Sequence, residues 1–311
     1  MSWTPSADQR LLEEASEVVE KESKRDSEHA PMTARDDVLL ICVNYRKPAE
    51  TRQFVATALE QSLNSSLRVV VVENSPLPDE GGVPESARSD PRVKAIATGK
   101  NLGYFGGAAA ALADHLKSHP QPDWVIVSNP DVYFADHDVL KRLCDAHRGE
   151  EPAVIAPSIR TVNTSVEQNP YMRARPSRFR MHLYRWLFSA YPVDVVYESL
   201  SWVKHRGLEL FKPDRPAATA SLPEKIYAPH GSFIALHRTY FERGGTLEYP
   251  AFLFGEEIFI AETARRLGLT VLYEPLVAIE HTERSTAAGL WNRDASRYRK
   301  QASRFLARTY F

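Results

Sequence analysis

The segment from Asp123 to Val132, DWVIVSNPDV, limits the possible folds of this chain more than any other stretch. Trp124 to Val127 form a short apolar run rich in β-branched residues, which predicts a strand buried on both faces. Asn129-Pro130 ends that strand, and Asp131 follows at once. Ligands of open α/β sheets collect beyond the carboxyl ends of strands, so Asp131 is a candidate to hold a metal ion or a phosphate-bearing ligand. The alternative is an aspartate that only stabilises the turn after proline.

Further short apolar runs alternate with helical patterns through the first half of the chain. Pro48 suits the first turn of a helix. The glycine- and alanine-rich stretch from Lys100 to Ala111 predicts a close backbone approach to a ligand, followed by a helix. Strands that alternate with helices predict an α/β fold with a mostly parallel, doubly wound sheet flanked by helices. The other strands expected here are Val38–Val43, Leu67–Val72, Val93–Thr98 and Ala153–Pro157, with a helix from about Asp136 to His147.

The second half of the chain is less regular, especially between Thr161 and Glu224. Ser177 to Phe188 is dense in arginine and aromatic residues, which predicts a helix lying at a membrane interface. The alternative is a helix packed on the rest of the domain, with its arginines extended outward. Beyond this segment the patterns predict strands at Ser232–Leu236, Thr270–Tyr273 and Leu276–Ile279, a helix within Phe252–Gly268 and a final helix from about Leu290.

Composition and charge exclude several classes of protein. The 39 Lys and Arg residues balance 40 Asp and Glu residues, for a net charge of -1, so no global field favours nucleic acid as a partner. Cys42 and Cys144 lack CxxC spacing and predict buried thiols in a reducing compartment. We find no apolar signal core and no run of the ~20 apolar residues needed to cross a bilayer. We therefore expect a cytoplasmic protein, peripheral at the inner face of the membrane if the segment from Ser177 to Phe188 is interfacial.

Seven short motifs follow one another in an order known from one enzyme family. They are VNYRKP from Val43, VVVENS from Val70, NLGYFGG from Asn101, NPDV from Asn129, GSFIALHR from Gly231, FLFGEEIF from Phe252 and EHTERST from Glu280. With these motifs the chain resembles family 2 glycosyltransferases of the GT-A (nucleotide-diphospho-sugar transferase) fold, and in particular their rhamnosyltransferase-like branch. The resemblance implies transfer of a sugar, in most members with inversion, from a nucleotide-diphosphate donor to a hydroxyl group of a glycan or lipid-linked acceptor in polysaccharide and cell-wall assembly.

The resemblance also implies a donor site and a metal site. A divalent cation, Mg²⁺ or Mn²⁺, is expected at Asp131, which matches the last acid of the family's DxD motif, and at the late His281. Asn129 stands where the first acid of that motif often is, and Glu73 replaces a more usual Asp. The residues implied in donor binding are Val43, Asn44, Tyr45, Glu73, Asn101, Gly103 and Asn129.

A general base is implied by the pair Glu256-Glu257, which aligns with a Glu-Asp pair of the family. Glu257 is our first choice, and Glu256 remains open because the substitution of Glu for Asp moves the carboxylate by one C–C bond, roughly 1.5 Å. Two acids in the first turn of a helix would also be stabilised there by the helix dipole. For the acceptor side the candidates are His230, Gly231, Ser232 and Trp291, although tryptophan is more often a core residue.

The expected domain organisation has three parts. Residues 1–36 form a mobile charged extension, residues 37–289 the GT-A domain with an irregular or helical acceptor-side insertion at 161–224, and residues 290–311 a C-terminal helix.

Two other functions remain open at this point. A nucleotidyltransferase would need a glycine-rich phosphate loop after the first strand, and VNYRKPAE has no glycine. The second alternative is a catalytically silent sugar-nucleotide-binding or scaffolding protein, which stays open because each acidic motif lacks one aspartate.

Overall fold

The computed structural model describes residues 36–63, 67–76, 87–146, 153–162, 166–210, 222–282 and 292–311. Apart from residue 36, the predicted N-terminal extension lies outside these ranges, as does Trp291. Within them, no helix is both long and apolar enough to cross a membrane.

The described strands form one mixed sheet in the order β3-β2-β1-β4-β8-β6-β9-β5, with β7 paired to β9. Parallel pairs join β1 to β2 and to β4, β2 to β3, and β6 to β9, and they contain most of the paired positions. The predicted mostly parallel α/β sheet is therefore confirmed. The strands are β1 Val38–Asn44, β2 Leu67–Glu73, β3 Val93–Ala97, β4 Trp124–Ser128, β5 Val132–Tyr133, β6 Val154–Thr161, β7 Glu224–Ile226, β8 Phe233–His237 and β9 Val271–His281.

The helices lie against both faces of this sheet. Successive side chains of a strand point to opposite faces, so Leu40 of β1 packs in the cluster that contains Phe54, while Ile41 packs in the cluster that contains Phe105. Both faces are covered, which explains the continuous apolar runs. The helices are α1 Pro48–Leu59, α2 Tyr104–His115, α3 Val139–Asp145, α4 Arg178–Leu187, α5 Tyr191–Leu210, α6 Arg238–Glu242, α7 Glu256–Arg266 and α8 Arg293–Thr309.

Several element boundaries differ from the sequence-based expectation. The helix expected from Asp136 begins at Val139, because the Asp136 carboxylate accepts a hydrogen bond from the Asp138 N–H and forms a turn before it. The two strands expected around Pro275 are one strand, β9. A register shift in its pairing with β6 accommodates the proline. The irregular region contains α4 and α5, and both cysteines are buried and unpaired.

Candidate functional site

The order of the strands brings several loops to one edge of the sheet. β1 and β4 are parallel neighbours, so the loops after Asn44 and Ser128 lie side by side. β8 runs antiparallel to β4, with Ser128 opposite Phe233, so the residues just before β8 reach the same edge. The Asn129 N–H donates to the Ser232 carbonyl at 2.9 Å. This edge is where an α/β sheet binds its ligands.

The end of β9 completes this edge. β5 follows Asp131 and pairs antiparallel with β9, so that Val132 lies opposite His281. The Thr282 N–H donates to the Asp131 carbonyl at 2.9 Å. Asp131 and His281, which are far apart in sequence, are therefore neighbours in space.

A cavity of about 850 Å³ opens above these strand ends and reaches α4, α7 and α8. Its volume is in the range of small-molecule sites, roughly 300–1,000 Å³. Of the predicted site residues, those that line it are Val43, Tyr45, Asn101, Gly103, Asn129, His230, Gly231, Ser232, Glu256 and Glu257. Asn44, Glu73, Asp131 and His281 lie just beneath its wall and are at most 8% exposed.

Asn44 and Glu73 contact each other. The Asn44 side-chain amide donates to Glu73 Oε2 at 2.7 Å, and Glu73 Oε1 accepts the Ser75 N–H at 3.1 Å. Both carboxylate oxygens of Glu73 are therefore already hydrogen bonded inside the protein. The pair fixes the ends of β1 and β2, and through them the position of Tyr45 on the cavity wall.

Asn74 organises the loop that enters α2, and the sequence analysis did not single it out. Its side chain donates to Asn101 Oδ1 at 3.0 Å and to the Gly103 carbonyl at 2.9 Å, and it accepts the Leu102 N–H at 2.9 Å. Gly103 has a φ of 79°, and a Cβ there would lie 2.0 Å from the Phe252 carbonyl oxygen. This close approach between two loops requires glycine.

Asp131 is held between two basic side chains. Lys47 Nζ lies 2.7 Å from Asp131 Oδ2, and His281 Nε2 lies 3.3 Å from Oδ1. Burial raises the pKa of Asp131, but His281 and Lys47 together outweigh burial and lower this pKa to about 2. His281 Nδ1 is 2.8 Å from Gln168 Oε1, so it donates there and turns Nε2 toward the carboxylate.

These atoms fit one divalent cation. Within the described part of the chain, Asp131 Oδ1 is buried and has no hydrogen-bond partner. Two ligands that each lie about 2.1 Å from one ion are at most about 4 Å apart, and Oδ1 and Nε2 satisfy this limit at 3.3 Å. No group of three or more His, Cys, Asp or Glu side chains suited to a metal occurs among the described residues. Water or a phosphate-bearing ligand would complete the coordination, as is common for Mg²⁺.

Glu256 and Glu257 open α7 on the opposite wall. The helix begins after Gly255, which has a left-handed backbone. Glu256 is buried, whereas Glu257 is partly exposed and its carboxylate lies against Gly231, where a Cβ would come within 2.5 Å of Oε1. Burial raises the pKa of both acids, and the charge of Glu257 adds to this effect at Glu256. At neutral pH such a pair retains a proton that isolated carboxyl groups would release.

The loop before α7 is tied to α8. Phe254 has a φ of 74°, an unfavourable value for a residue with a side chain. Its carbonyl accepts the Tyr249 hydroxyl at 2.6 Å, and the Arg299 guanidinium lies 5.5 Å from the centre of its ring. These contacts hold the backbone that presents the two acids.

The helix predicted from the arginine- and aromatic-rich segment is α4. The two interpretations, a helix packed on the domain and a helix that lies at a membrane interface, each describe part of its surface. Met181 is buried and lines the cavity with Tyr184. Phe179 and Trp186 face outward and are 77% and 64% exposed. The helix therefore packs on the domain and also presents apolar side chains to its surroundings.

Lys47, Tyr171 and Arg180 also line the cavity and were not predicted as site residues. Lys47 belongs to the first motif, and its position beside Asp131 follows from the parallel pairing of β1 with β4. The other two lie in the irregular region, where no periodic pattern marks the positions that face inward.

Comparison with solved structures finds glycosyltransferases. The mannosyltransferase PcManGT from Pyrobaculum calidifontis, in complex with GDP-Man and Mn²⁺, is 18% identical with a TM-score of 0.48, over 82% of this chain and 60% of that one. TarS 1–349 from S. aureus, in complex with UDP-GlcNAc, is 14% identical with a TM-score of 0.49, over 80% of this chain and 59% of that one. This chain thus spans less than two thirds of either structure.

Comparison with characterised sequences finds the N-acetylglucosaminyl-diphospho-decaprenol L-rhamnosyltransferase of Mycobacterium tuberculosis, in strains CDC 1551 / Oshkosh and ATCC 25618 / H37Rv. It is 26% identical over 254 residues, which are 79% of this chain and 76% of the relative. The sequence profile of Glycosyl transferase family 2 matches residues 37–245, more than half of the chain. The protein is therefore a glycosyltransferase that belongs to family 2, and its α/β sheet is the GT-A fold predicted for it.

Proposed function

We propose that this enzyme is a metal-dependent, inverting glycosyltransferase that moves a sugar from a nucleotide-diphosphate donor to a hydroxyl group of a lipid-linked saccharide in polysaccharide or cell-wall assembly. The observation that carries the proposal is the single cavity whose walls include both the strand-end loops beside Asp131 and the Glu256-Glu257 pair. A donor diphosphate and an acceptor hydroxyl would meet in this space. Residues 37–289 would form the catalytic domain, with α4 and α5 on the acceptor side.

The donor would bind on the strand-end wall. Tyr45 is 42% exposed at the cavity edge, where its ring would meet the nucleotide base. Val43 and the loop at Asn101 and Gly103 line the cavity and would surround the rest of the nucleoside. Asn44 and Glu73 would act from beneath, by holding the ends of their strands. Asn129 would contact the donor next to the diphosphate.

Asp131 and His281 would hold the divalent cation, through Oδ1 and Nε2. When bound, the metal would stabilise the negative charge that grows on the leaving diphosphate. Lys47 lies beside Asp131, and its ammonium group can form an ion pair with a phosphate oxygen.

Glu257 would act as the base. As the acceptor oxygen bonds to the anomeric carbon, the bond from that carbon to the diphosphate oxygen breaks. The acceptor proton passes to the Glu257 carboxylate, and the negative charge leaves with the nucleoside diphosphate. Attack from the face opposite the leaving group inverts the anomeric centre. Glu256, buried beside it, would retain the shared proton and leave Glu257 ionised.

A lipid-linked acceptor is supported by two observations. The mycobacterial relative is named for a sugar joined through diphosphate to decaprenol. In this chain the cavity has an apolar extension between α4 and α8. No comparable feature favours a nucleotidyltransferase.

A screen of nucleoside-diphosphate sugars tests the proposal. With Mn²⁺ present, the matching donor should raise the melting temperature, because a ligand that binds the native state stabilises it by mass action. The same donor should then be turned over when a diphospho-lipid saccharide is added, with the opposite anomeric configuration in the product. Stabilisation by a donor without any transfer to saccharide acceptors would contradict the enzymatic role.

We also propose peripheral attachment to an anionic membrane through the outer face of α4. Phe179, Leu183 and Trp186 are spaced to share one side of the helix and are exposed. Arg178 and Arg185 on the same helix add positive charge. Each basic residue near an anionic surface contributes roughly 1 kcal/mol.

Vesicle sedimentation checks this attachment. The enzyme should sediment with vesicles of equal parts phosphatidylglycerol and phosphatidylcholine at low salt, and less so as salt screens the charges. The double variant Phe179→Ser, Trp186→Ser should lose most of this binding. Leu276→Ser, at a residue that is 65% exposed on β9, is the control and should bind normally. If the unmodified enzyme stays in the supernatant at low salt, the attachment does not occur.

A further inference from the structure

The α4–α8 half of the cavity, meaning the part lined by side chains of these two helices, has so far been given no residue with a role of its own. Its wall is formed mainly by apolar and aromatic side chains. A sugar is recognised by hydrogen-bonding groups, whereas an apolar wall favours an alkyl chain, through removal of its surface from water. The residues of this wall are Met181, Tyr184, Phe188, Ala302 and Leu306.

Two arginines line the same half of the cavity, and they differ in their partners. Arg299 is buried and forms two hydrogen bonds to the Asp194 carboxylate, at 2.9 and 2.7 Å, so its charge is compensated. Arg180 is exposed, and its Nε donates to the Tyr184 hydroxyl at 2.9 Å. Across the described ranges, no carboxylate lies within ion-pair distance of Arg180. Its terminal N–H groups can therefore bind an anionic ligand in a forked geometry.

Arg180 lines the same cavity as the proposed site of reaction. Tyr171 is part of the same cavity wall, and its pKa depends on both Glu257 and Arg180. The Glu257 carboxylate and burial raise the pKa of Tyr171, while the Arg180 charge opposes them. An anion bound at Arg180 would thus share one cavity with the acceptor hydroxyl that meets Glu257.

The outer face of α4 begins directly beside Arg180. Phe179 precedes it in sequence, and Leu183 and Trp186 continue the same exposed side of the helix. An alkyl chain that leaves the cavity beside Arg180 would pass onto this apolar strip. Arg180, the apolar wall and the exposed strip of α4 therefore follow one another in the same order as the diphosphate and the long chain of a lipid.

We infer that the α4–α8 half of the cavity is a binding subsite for a lipid diphosphate. Arg180 pairs with the diphosphate, and the apolar wall holds the first part of the chain. The inference rests on the proposed function, because it assigns the part of the acceptor that follows the accepting sugar. Charge and apolar surface together identify the occupant. A neutral lipid would leave Arg180 without an anionic partner, and a free saccharide would leave the apolar wall without an alkyl chain.

Calorimetric titration with soluble probes tests the subsite without a donor. Farnesyl diphosphate, farnesol and pyrophosphate are titrated in the presence of a chelator, so that no metal brings a phosphate to Asp131. Farnesyl diphosphate should bind more tightly than either fragment. Arg180→Gln should weaken its binding about ten- to a hundred-fold, the usual effect of a charged hydrogen bond, while farnesol binding stays the same. Arg304→Gln, at an exposed position of α8 outside the cavity wall, should bind like the unmodified protein.

Three outcomes would overturn the subsite. The first is equal binding of farnesyl diphosphate by Arg180→Gln and the unmodified protein, and the second is an equal loss in Arg180→Gln and Arg304→Gln. The third is equal affinity of the unmodified protein for farnesol and farnesyl diphosphate. The proposed function fails separately. A protein that binds farnesyl diphosphate through Arg180 and transfers no sugar would contradict the function alone. An active enzyme whose KM for a diphospho-lipid acceptor is unaffected by Arg180→Gln would contradict the subsite alone.

Discussion

Glu257→Gln is expected to lower turnover by ~10²–10⁴-fold, the usual contribution of general-base catalysis, while donor affinity stays nearly unchanged. Glutamine keeps the shape of the side chain against Gly231 but cannot accept the acceptor proton. Steady-state transfer rates and calorimetric titration of the nucleoside diphosphate measure the two effects separately.

Glu256→Gln is the matched control, one position earlier in the same helical turn. It should retain much of the transfer activity, because Glu256 is buried and Glu257 reaches the cavity. Loss of transfer in Glu256→Gln with retention in Glu257→Gln would exchange the two roles. Normal turnover in both variants would place the base outside α7.

The pH profile carries further information on this pair. Burial raises the pKa of both acids, so the ionised base forms only at a pH above the usual carboxyl range. The value of kcat/KM should therefore rise with pH through an apparent pKa that is higher than that of an ordinary glutamate. Glu256→Gln should leave this rise at nearly the same pH, because the neutral glutamine replaces an acid that keeps its proton while Glu257 ionises. A profile that is already flat from pH 5 upward would contradict an elevated pKa of the base.

Asp131→Ala is expected to abolish the metal dependence of donor binding and to lower kcat/KM by about 10²-fold or more. A bound metal contributes several kcal/mol to charge stabilisation, and each 1.4 kcal/mol is a factor of ten. The fold should survive, since the side chain of Lys47 is 38% exposed and its freed ammonium can reach solvent. Titration of a nucleoside diphosphate with Mn²⁺ and with chelator measures the dependence, and circular dichroism checks the fold.

Asp136→Ala serves as the control for that experiment. Its carboxylate follows β5, is 52% exposed and pairs with Arg142, so donor binding should be unaffected. If Asp131→Ala keeps the difference in affinity between Mn²⁺ and chelator, the metal is held elsewhere.

Several strands of the sheet were predictable from their apolar runs. β1, β2 and β4 were expected within one or two residues, because a continuous β-branched run with a turn signal at its end permits few other structures. β5 and β7 have two and three residues and are too short to show a period. The two helices of the irregular region pack through scattered aromatic residues, and this packing is decided by tertiary contacts.

The candidate site was predictable in its location and less so in its contacts. Strand ends and motif order pointed to the right edge of the sheet, and most of the predicted residues line one cavity there. The sequence cannot show whether a polar side chain at a strand end turns toward a ligand or toward its neighbour, and Asn44 and Glu73 turn toward each other. Likewise, nothing local separates Lys47 from a surface lysine. Its role depends on β4, about 80 residues later in the chain, lying beside β1.

The contact between Lys47 and Asp131 compensates the charge of a buried carboxylate within the protein itself. A metal ion held by Oδ1 and His281 would meet a carboxylate whose Oδ2 already pairs with a positive charge. Uptake of the ion would weaken the pair between Oδ2 and Lys47 and free its ammonium group. The released Lys47 remains at the cavity wall, where a diphosphate would be its counter-charge. Ion and donor would then each raise the affinity of the other by the same factor, as thermodynamic linkage requires.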